Sequence, residues 1–458
     1  MTRSVMVLFI GGLTASTGAG AGAQLTLAGA MRQADHAAYG NRIAAGASAA
    51  QAAQALAPLK GILPTLRFEA GYLRTTDPIG VFGSTLRQRT ISAANFDPQR
   101  LNYPDPLSNY QSAIVLEQPI FNADAWTGRR AALRAADASR ASEEWTRLST
   151  RVSVVRAYYG ATLAAERLQT LATAARAAHA HGVQAEAMVR QGLVTKSDAL
   201  LASVRAGEVD AQLAEAEGAA VMARRQLAVL LGGDGASLSP ELALPPTLPS
   251  GDRIRMVVAA DTVAGATEDR ADVRADVRAA SSGLDAAAAD LLRARSAWLP
   301  RVNSFARYDW NAANRPYAGA RNWTTGVLAS WTPFAGAGDL ADMRAAAARV
   351  TSAQAQSEGA RATAALDLEQ SRIALAVALV RLTIAERGSV QSVEAHRIVE
   401  RKYAGGLATV VELLDAQAVE TGSALALSQA RWSAIVAGAE RRRALGRDPG
   451  ALAALDAP

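Results

Sequence analysis

GLVTKSDALLA at 192–202 and GLATVVELLDA at 406–416 are two versions of one segment. They lie 214 positions apart, and the offset holds from 119–232 to 333–446: Pro119 falls on Pro333, Gly192 on Gly406, Leu193 on Leu407, Thr195 on Thr409, and acidic Asp198 on acidic Glu412. No gap interrupts the more than seventy residues between the Pro and Gly landmarks. A duplication that keeps its spacing to the residue says that helix length is itself constrained, and internal repeats define architecture before any local reading does. Ordinary globular helices run about 11–12 residues; each Pro-to-Gly segment is several times longer.

Composition agrees with one elongated body. The 458 residues are rich in alanine and arginine, lysine occurs only at Lys60, Lys196 and Lys402, and aromatics make up 5%. Such a chain reads as long helices packed at close range. The net charge of +6 is a weak excess. Arginine alternates with acidic residues along the helices rather than clustering, which describes a solvated face and no nucleic-acid partner. Arg3, the apolar run Val5–Leu13 and the small residues ending in Ala21-Gly22-Ala23 have the pattern of an export leader. Residues 1–23 are therefore expected to be a signal peptide cleaved before Gln24. That apolar run is far shorter than the ~20 residues that span a bilayer, and no other stretch of that length is uniformly apolar. The chain has no cysteine, which excludes disulfides, thiolate metal sites and a lipid-modified N-terminal cysteine.

Working outward from the repeat, residues 26–58 read as a helix opening with LTLAGAMRQA, followed by a half-buried strand at 63–73 where Leu66, Phe68, Ala70 and Tyr72 alternate with Arg67, Glu69 and Gly71. Pro78, Pro98, Pro104 and Pro106 mark 77–108 as a loop, and a second strand runs from about 109 to 121. The second repeat copies the plan: a helix near 268–297, a strand in WLPRVNSFARYDW (298–310), a shorter loop, and the strand WTTGVLASWTPF (323–334) with an indole near either end. Four strands cannot close into a barrel, and their open edges are a liability. Yet outward apolar faces with terminal aromatics match outer-membrane barrel strands, so closure would require further copies of the chain. A soluble sheet packed on helices is the other reading of the same pattern.

Between Ile120 and Gly192 lies a predicted helix of about 72 residues, or about 108 Å at 1.5 Å per residue. Trp145, Leu148, Val152, Val155 and Tyr159 form a coiled-coil seam on it. The returning helix ends near Leu231-Gly232-Gly233; with the N-terminal helix it approaches the length of the long one, so two shorter helices stacked end to end are expected beside each long one. The plan divides the chain into a first repeat at 24–250 and a second at 251–446, with 233–267 and 447–458 forming a belt at mid-height.

These residues bring the chain close to a known family. The LTLAGAMRQA opening, two helices ending in Leu-Pro before a strand (Leu63-Pro64 and Leu299-Pro300), strands ending EQPIF and SWTPF, and the turns VRQGLVTKSDALLA and RKYAGGLATVVELLDA resemble the TolC-type outer-membrane efflux proteins over essentially the whole mature length. The resemblance implies a mainly α protein with a β-barrel portion. Three copies would build a twelve-stranded barrel in outer-membrane lipid, continued by a long α-helical coiled-coil barrel through the periplasm. It also implies a homotrimer that acts as an exit duct, engaged by a periplasmic adaptor protein and an inner-membrane pump. By residue matching, Glu412 and Asp415 occupy the positions that narrow the periplasmic entrance. Tyr403 and Asp198 sit where polar links hold it closed, and Gly192, Leu193, Gly406 and Leu407 are the adaptor contact. The basic residue that some members carry after the Gly is Ala408 here.

The turn residues also have a local reading. Thr409 to Glu412 has capping-box spacing, and Thr195 to Asp198 is its Asp version. Asp415 is too deep for that box, and its counterpart in the first repeat is Leu201. No catalytic constellation appears. The four histidines, His36, His179, His181 and His396, are scattered, and there is neither a phosphate-binding Gly-rich loop nor a nucleophile elbow. The sequence therefore points to no enzyme, cofactor or metal. The resemblance implies a passive efflux channel for small molecules such as drugs; a duct for type I protein secretion and an exported coiled-coil scaffold are the alternatives.

Overall fold

The structure, a computed structural model, describes residues 25–234, 243–263, 274–334 and 336–456. The expected leader, residues 235–242 and 264–273 around the segment joining the repeats, and the last two residues lie outside the described residues. The chain runs α1 (Leu27–Ala37), α2 (Tyr39–Gln54), β1 (Thr65–Thr75), α3 (Pro78–Arg87), α4 (Pro98–Asn102), β2 (Leu107–Phe121), α5 (Ala123–Arg190), α6 (Lys196–Leu230), α7 (Gly251–Val263), α8 (Ala275–Ser296), β3 (Arg301–Ala312), β4 (Ala320–Ser330), α9 (Gly338–Ala404) and α10 (Val410–Ala444), with a C-terminal 3₁₀ segment at Pro449–Asp456. The duplication is kept to within a residue: α5 and α9 have 68 and 67 residues, and α6 and α10 have 35 each.

Three differences from the sequence reading have local causes. The helix expected over 26–58 is two helices that break at Ala38, whose backbone is extended. Asn41 makes the break tolerable: its amide donates to the Ala34 carbonyl at 3.1 Å and its carbonyl accepts from Thr150 at 2.8 Å, so the polar groups left over are paired. The segment 77–108 is not all loop. Pro78 and Pro98 begin α3 and α4, capped by Asp77 and Asp97, because proline fits the first turn, where its missing N–H is not needed. Trp331 falls just beyond β4, and its indole donates to the Trp298 carbonyl at 3.0 Å.

The four strands form one antiparallel sheet in the order β1-β2-β3-β4, leaving β1 and β4 as edges. Residues directly opposite share a face. The register therefore gathers Leu66, Phe68, Tyr72, Ile114, Leu116, Tyr308, Trp310, Trp323 and Val327 on one side. The other side carries Arg67, Glu69, Glu117, Asn303, Arg307 and Asp309, with Val115 and Phe305 among them. The charges on that side are paired: Arg307 reaches Glu69 at 2.9 Å and Asp309 at 2.8 Å, and Arg67 reaches Glu117 at 3.4 Å.

Next to the sheet, α5 packs antiparallel against α2 and α8; further along it packs against α6 and α10. Two shorter helices thus follow one another along each long one. The main core gathers midway, where Leu27, Val152, Val155, Tyr158, Tyr159, Leu227, Ile254, Leu382, Ile435 and Leu452 are buried together. Four of the five seam residues expected on α5 are buried there or nearby. The fifth, Trp145, is half-buried and lies under the guanidinium groups of Arg274 and Arg443, 4.7 and 5.1 Å from its ring centre. The C-terminal segment closes the core: Tyr159 donates to Asp456 at 2.8 Å, and the Leu27 amide donates to the same carboxylate at 2.6 Å. Among the described residues no helix is long and apolar enough to cross a membrane.

Candidate functional site at the helical tips

Both long helices end in the same turn. Gly192 and Gly406 each have φ near +70°, a left-handed conformation that glycine adopts without steric conflict. The amides after them fold back to close the helix, Leu193 N–H to Met188 O at 2.9 Å and Leu407 N–H to Lys402 O at 2.8 Å, a Schellman-type end. Two residues on, a threonine starts the return helix. The Thr195 amide donates to Asp198 at 3.0 Å and the Thr409 amide to Glu412 at 2.7 Å; the hydroxyls accept from the Asp198 and Glu412 amides at 3.3 Å in both. Both capping boxes are complete. Each is worth about 1 kcal/mol to its helix.

The tips pack on one another. Tyr403, Val410, Leu413 and Leu414 of the second tip form a small core with Ala185 and Ala202 of the first, flanked by Met188 and Ala199. Leu193 and Leu407 stay outside it, 65% and 82% exposed. Tyr403 is buried, and its hydroxyl donates to the Met188 sulfur at 3.2 Å. Burial and then the nearby Asp198 carboxylate push the phenol up. Tyr403 and Asp198 are thus brought within electrostatic range, but within this protomer the Asp198 oxygen that bonds is engaged by Thr195.

Glu412 and Asp415 are exposed and three residues apart on α10, a spacing that puts both on one side of a helix. Asp415 also lies within electrostatic reach of Arg205 on α6, whose guanidinium is bonded to Glu208 at 2.8 Å. The sequence reading missed Arg205 and Met188. Their counterparts, Val419 and Lys402, share no chemistry with them, so the repeat carried no signal for either. Among the described residues no group of three His, Asp or Glu side chains is placed to hold a metal.

The comparisons with known proteins agree with this geometry. The family model for outer membrane efflux proteins matches residues 42–233 and 269–447, most of the chain and both repeats. No curated protein sequence matches. Among solved structures, the fold is similar to the CmeC outer membrane channel of Campylobacter jejuni (16% identity, 92% of this chain and 85% of that chain, TM-score 0.74). It is also similar to the outer membrane protein VceC of Vibrio cholerae (19%, 92% and 96%, 0.73) and to the open state of the MtrE outer membrane channel of Neisseria gonorrhoeae (20%, 93% and 90%, 0.72). At these identities the likeness is one of fold, and it extends over more than nine-tenths of this chain. With a family match that covers both halves of a duplicated helix–strand plan, the chain belongs to the outer membrane efflux proteins, which are channels and not enzymes.

Proposed function

We propose that three copies of this chain form a passive duct through which a tripartite efflux system expels small molecules such as drugs. The observation that carries this reading is the two-sided sheet with free edges. Within one chain, β1 and β4, 11 residues each, have no strand on their outer side. Unpaired strand edges are not tolerated in hydrocarbon, so a spanning sheet has to close. Pairing β4 of one copy with β1 of the next gives twelve strands from three copies. The aromatic and aliphatic face then meets lipid, and the face bearing Arg67, Glu69, Arg307 and Asp309 meets water.

The helical part supports the same closure. Leu366, Ile373, Val377, Val380 and Ile384 follow a coiled-coil spacing along α9 and are all exposed in the single chain. A contiguous apolar stripe of this kind calls for a partner, and another copy supplies one. At the far end, Glu412 and Asp415 from three copies gather six carboxylates around one axis, a ring that favours cations. Crowding of like charge holds its effective charge below six. Leu193 and Leu407, exposed at the hairpin ends, are the surface offered to a periplasmic adaptor that links the duct to its inner-membrane pump.

The test is electrical. In planar bilayers the protein should conduct, prefer cations, and be blocked by a trivalent cation on the tip side. Glu412→Ala with Asp415→Ala should shift the reversal potential toward zero selectivity and relieve the block, whereas Asp198→Ala should change both far less. Unaltered selectivity and block in the double variant would reduce these acids to helix-start charges.

A further inference from the structure

Two histidines that lie far apart in the sequence come within electrostatic range of one another in the fold. Tyr403 on α9 touches Met188 on α5, and both helices run toward their tips. One heptad back from each of these residues stand His396 and His181, and the two imidazoles fall within electrostatic range of one another. Both stand one heptad back from the Tyr403–Met188 bond, on the far side of the small core that joins the tips from the turns themselves. The Nδ1–H of His396 donates to Glu420 on α10, while its Nε2 is buried without a partner. His181 is half-buried.

The charged groups around this pair come from three helices. His181 lies within electrostatic range of His396 and Glu400 of α9, and His396 is bonded to Glu420 of α10. Burial first, and His396 second, push the His181 imidazole down, and Glu400 opposes them. His179 belongs to a different contact: it is exposed and bonded to Asp210 on α6 at 2.9 Å.

We propose that the His181–His396 pair is an acid-sensitive latch: proton uptake there loosens the junction of the two helical hairpins and lets the tips spread. This rests on the reading of the tips as the duct's entrance. A periplasmic tip is exposed to a compartment whose pH follows the surroundings, so imidazole is the side chain suited to sense it. The sign follows from linkage. In the spread form His181 is hydrated and titrates near the ordinary value of about 6.5; in the packed form it holds a proton less readily. The packed form is therefore at full strength above that value, and it weakens as pH falls below it. For each proton linked, the ratio of spread to packed forms rises by up to about tenfold per pH unit.

The absence of cysteine makes the test direct. Leu193→Cys and Leu407→Cys, both exposed, take spin labels on the two tips of the full-length protein. Between pH 7.5 and 5.5 the tip-to-tip distance should lengthen and broaden. His181→Gln with His396→Gln should flatten that response, and His179→Gln should leave it intact. Should the double variant fold poorly at pH 7.5, His181→Gln alone should still reduce the shift at least by half. An unchanged distance in the parent, a full response in the double variant, or a response abolished by His179→Gln would overturn the latch. Distance is read without any current, so tips that spread in a protein that conducts nothing would leave the latch standing and remove the duct reading.

Discussion

The two long helices began as the same segment, yet one is enclosed and the other keeps a bare side. On α5, Val152 and Tyr159 are 5% and 1% exposed; their repeat counterparts on α9, Leu366 and Ile373, are 56% and 50% exposed. Between them, Val155 and Tyr158 of the first helix correspond to Glu369 and Arg372 of the second, which bond to one another at 2.6 and 2.9 Å in solvent. The difference is one of neighbours: α1, α2, α6, α8, α10 and the C-terminal segment all pack on α5, whereas α9 is served by α7, α8 and α10. Apolar residues kept on the bare side of α9 at coiled-coil spacing indicate a surface awaiting a neighbour. The duplication thus supplies an internal control, since equivalent positions report what a single chain satisfies and what it leaves for a second copy.

The comparison is most easily broken at its largest difference. Tyr159→Ala should lower protomer stability by about 3–5 kcal/mol, by removing a buried ring and the hydroxyl that bonds Asp456. Ile373→Ala should leave a single chain within about 0.5 kcal/mol of the parent while sharply weakening association. Chemical denaturation paired with mass measurement on dilution checks both. Equal effects on stability would mean that the two helices are equally enclosed.

The tips sharpen the same contrast on a smaller scale. Leu414 is 6% exposed and its counterpart Leu200 is 58% exposed. Leu414→Ala should cost about 2–3 kcal/mol and Leu200→Ala well under 1 kcal/mol, measured as resistance to proteolysis near each turn. The caps should behave alike: Thr195→Ala and Thr409→Ala each remove one cap of about 1 kcal/mol, read as faster amide exchange in the first turns of α6 and α10. Smallest in stability is Leu193→Asp with Leu407→Asp, expected to leave the melting temperature unchanged because neither side chain is packed. It should nevertheless abolish efflux in cells, and normal drug resistance in that double variant would remove the adaptor contact.

What the sequence revealed was whatever depends on near neighbours along the chain. The Gly-Leu-x-Thr turns, the capping acids three residues on, the alternation in β1 and the seam on α5 are all local patterns, and each appears in the structure where the residues place it. The break at Ala38 was hidden because Asn41 compensates it through Thr150, more than a hundred residues away. The helices begun by Pro78 and Pro98 were hidden because proline marks a helix start as readily as a loop. Which histidines come within electrostatic range, and that Asp415 does so with Arg205, depends on the register between helices, which side-chain packing sets and no single segment encodes.

The central claim is that the bare stripe on α9 and the free strand edges are covered by further copies of this chain, in a closed ring that conducts. Native mass measurement of the detergent-solubilised protein, made on the same sample that is inserted into a planar bilayer, tests it most directly. The account predicts a mass of three chains, lost on heating together with the steps of ion current. A folded single chain in detergent, or a stable trimer that never conducts, would contradict it.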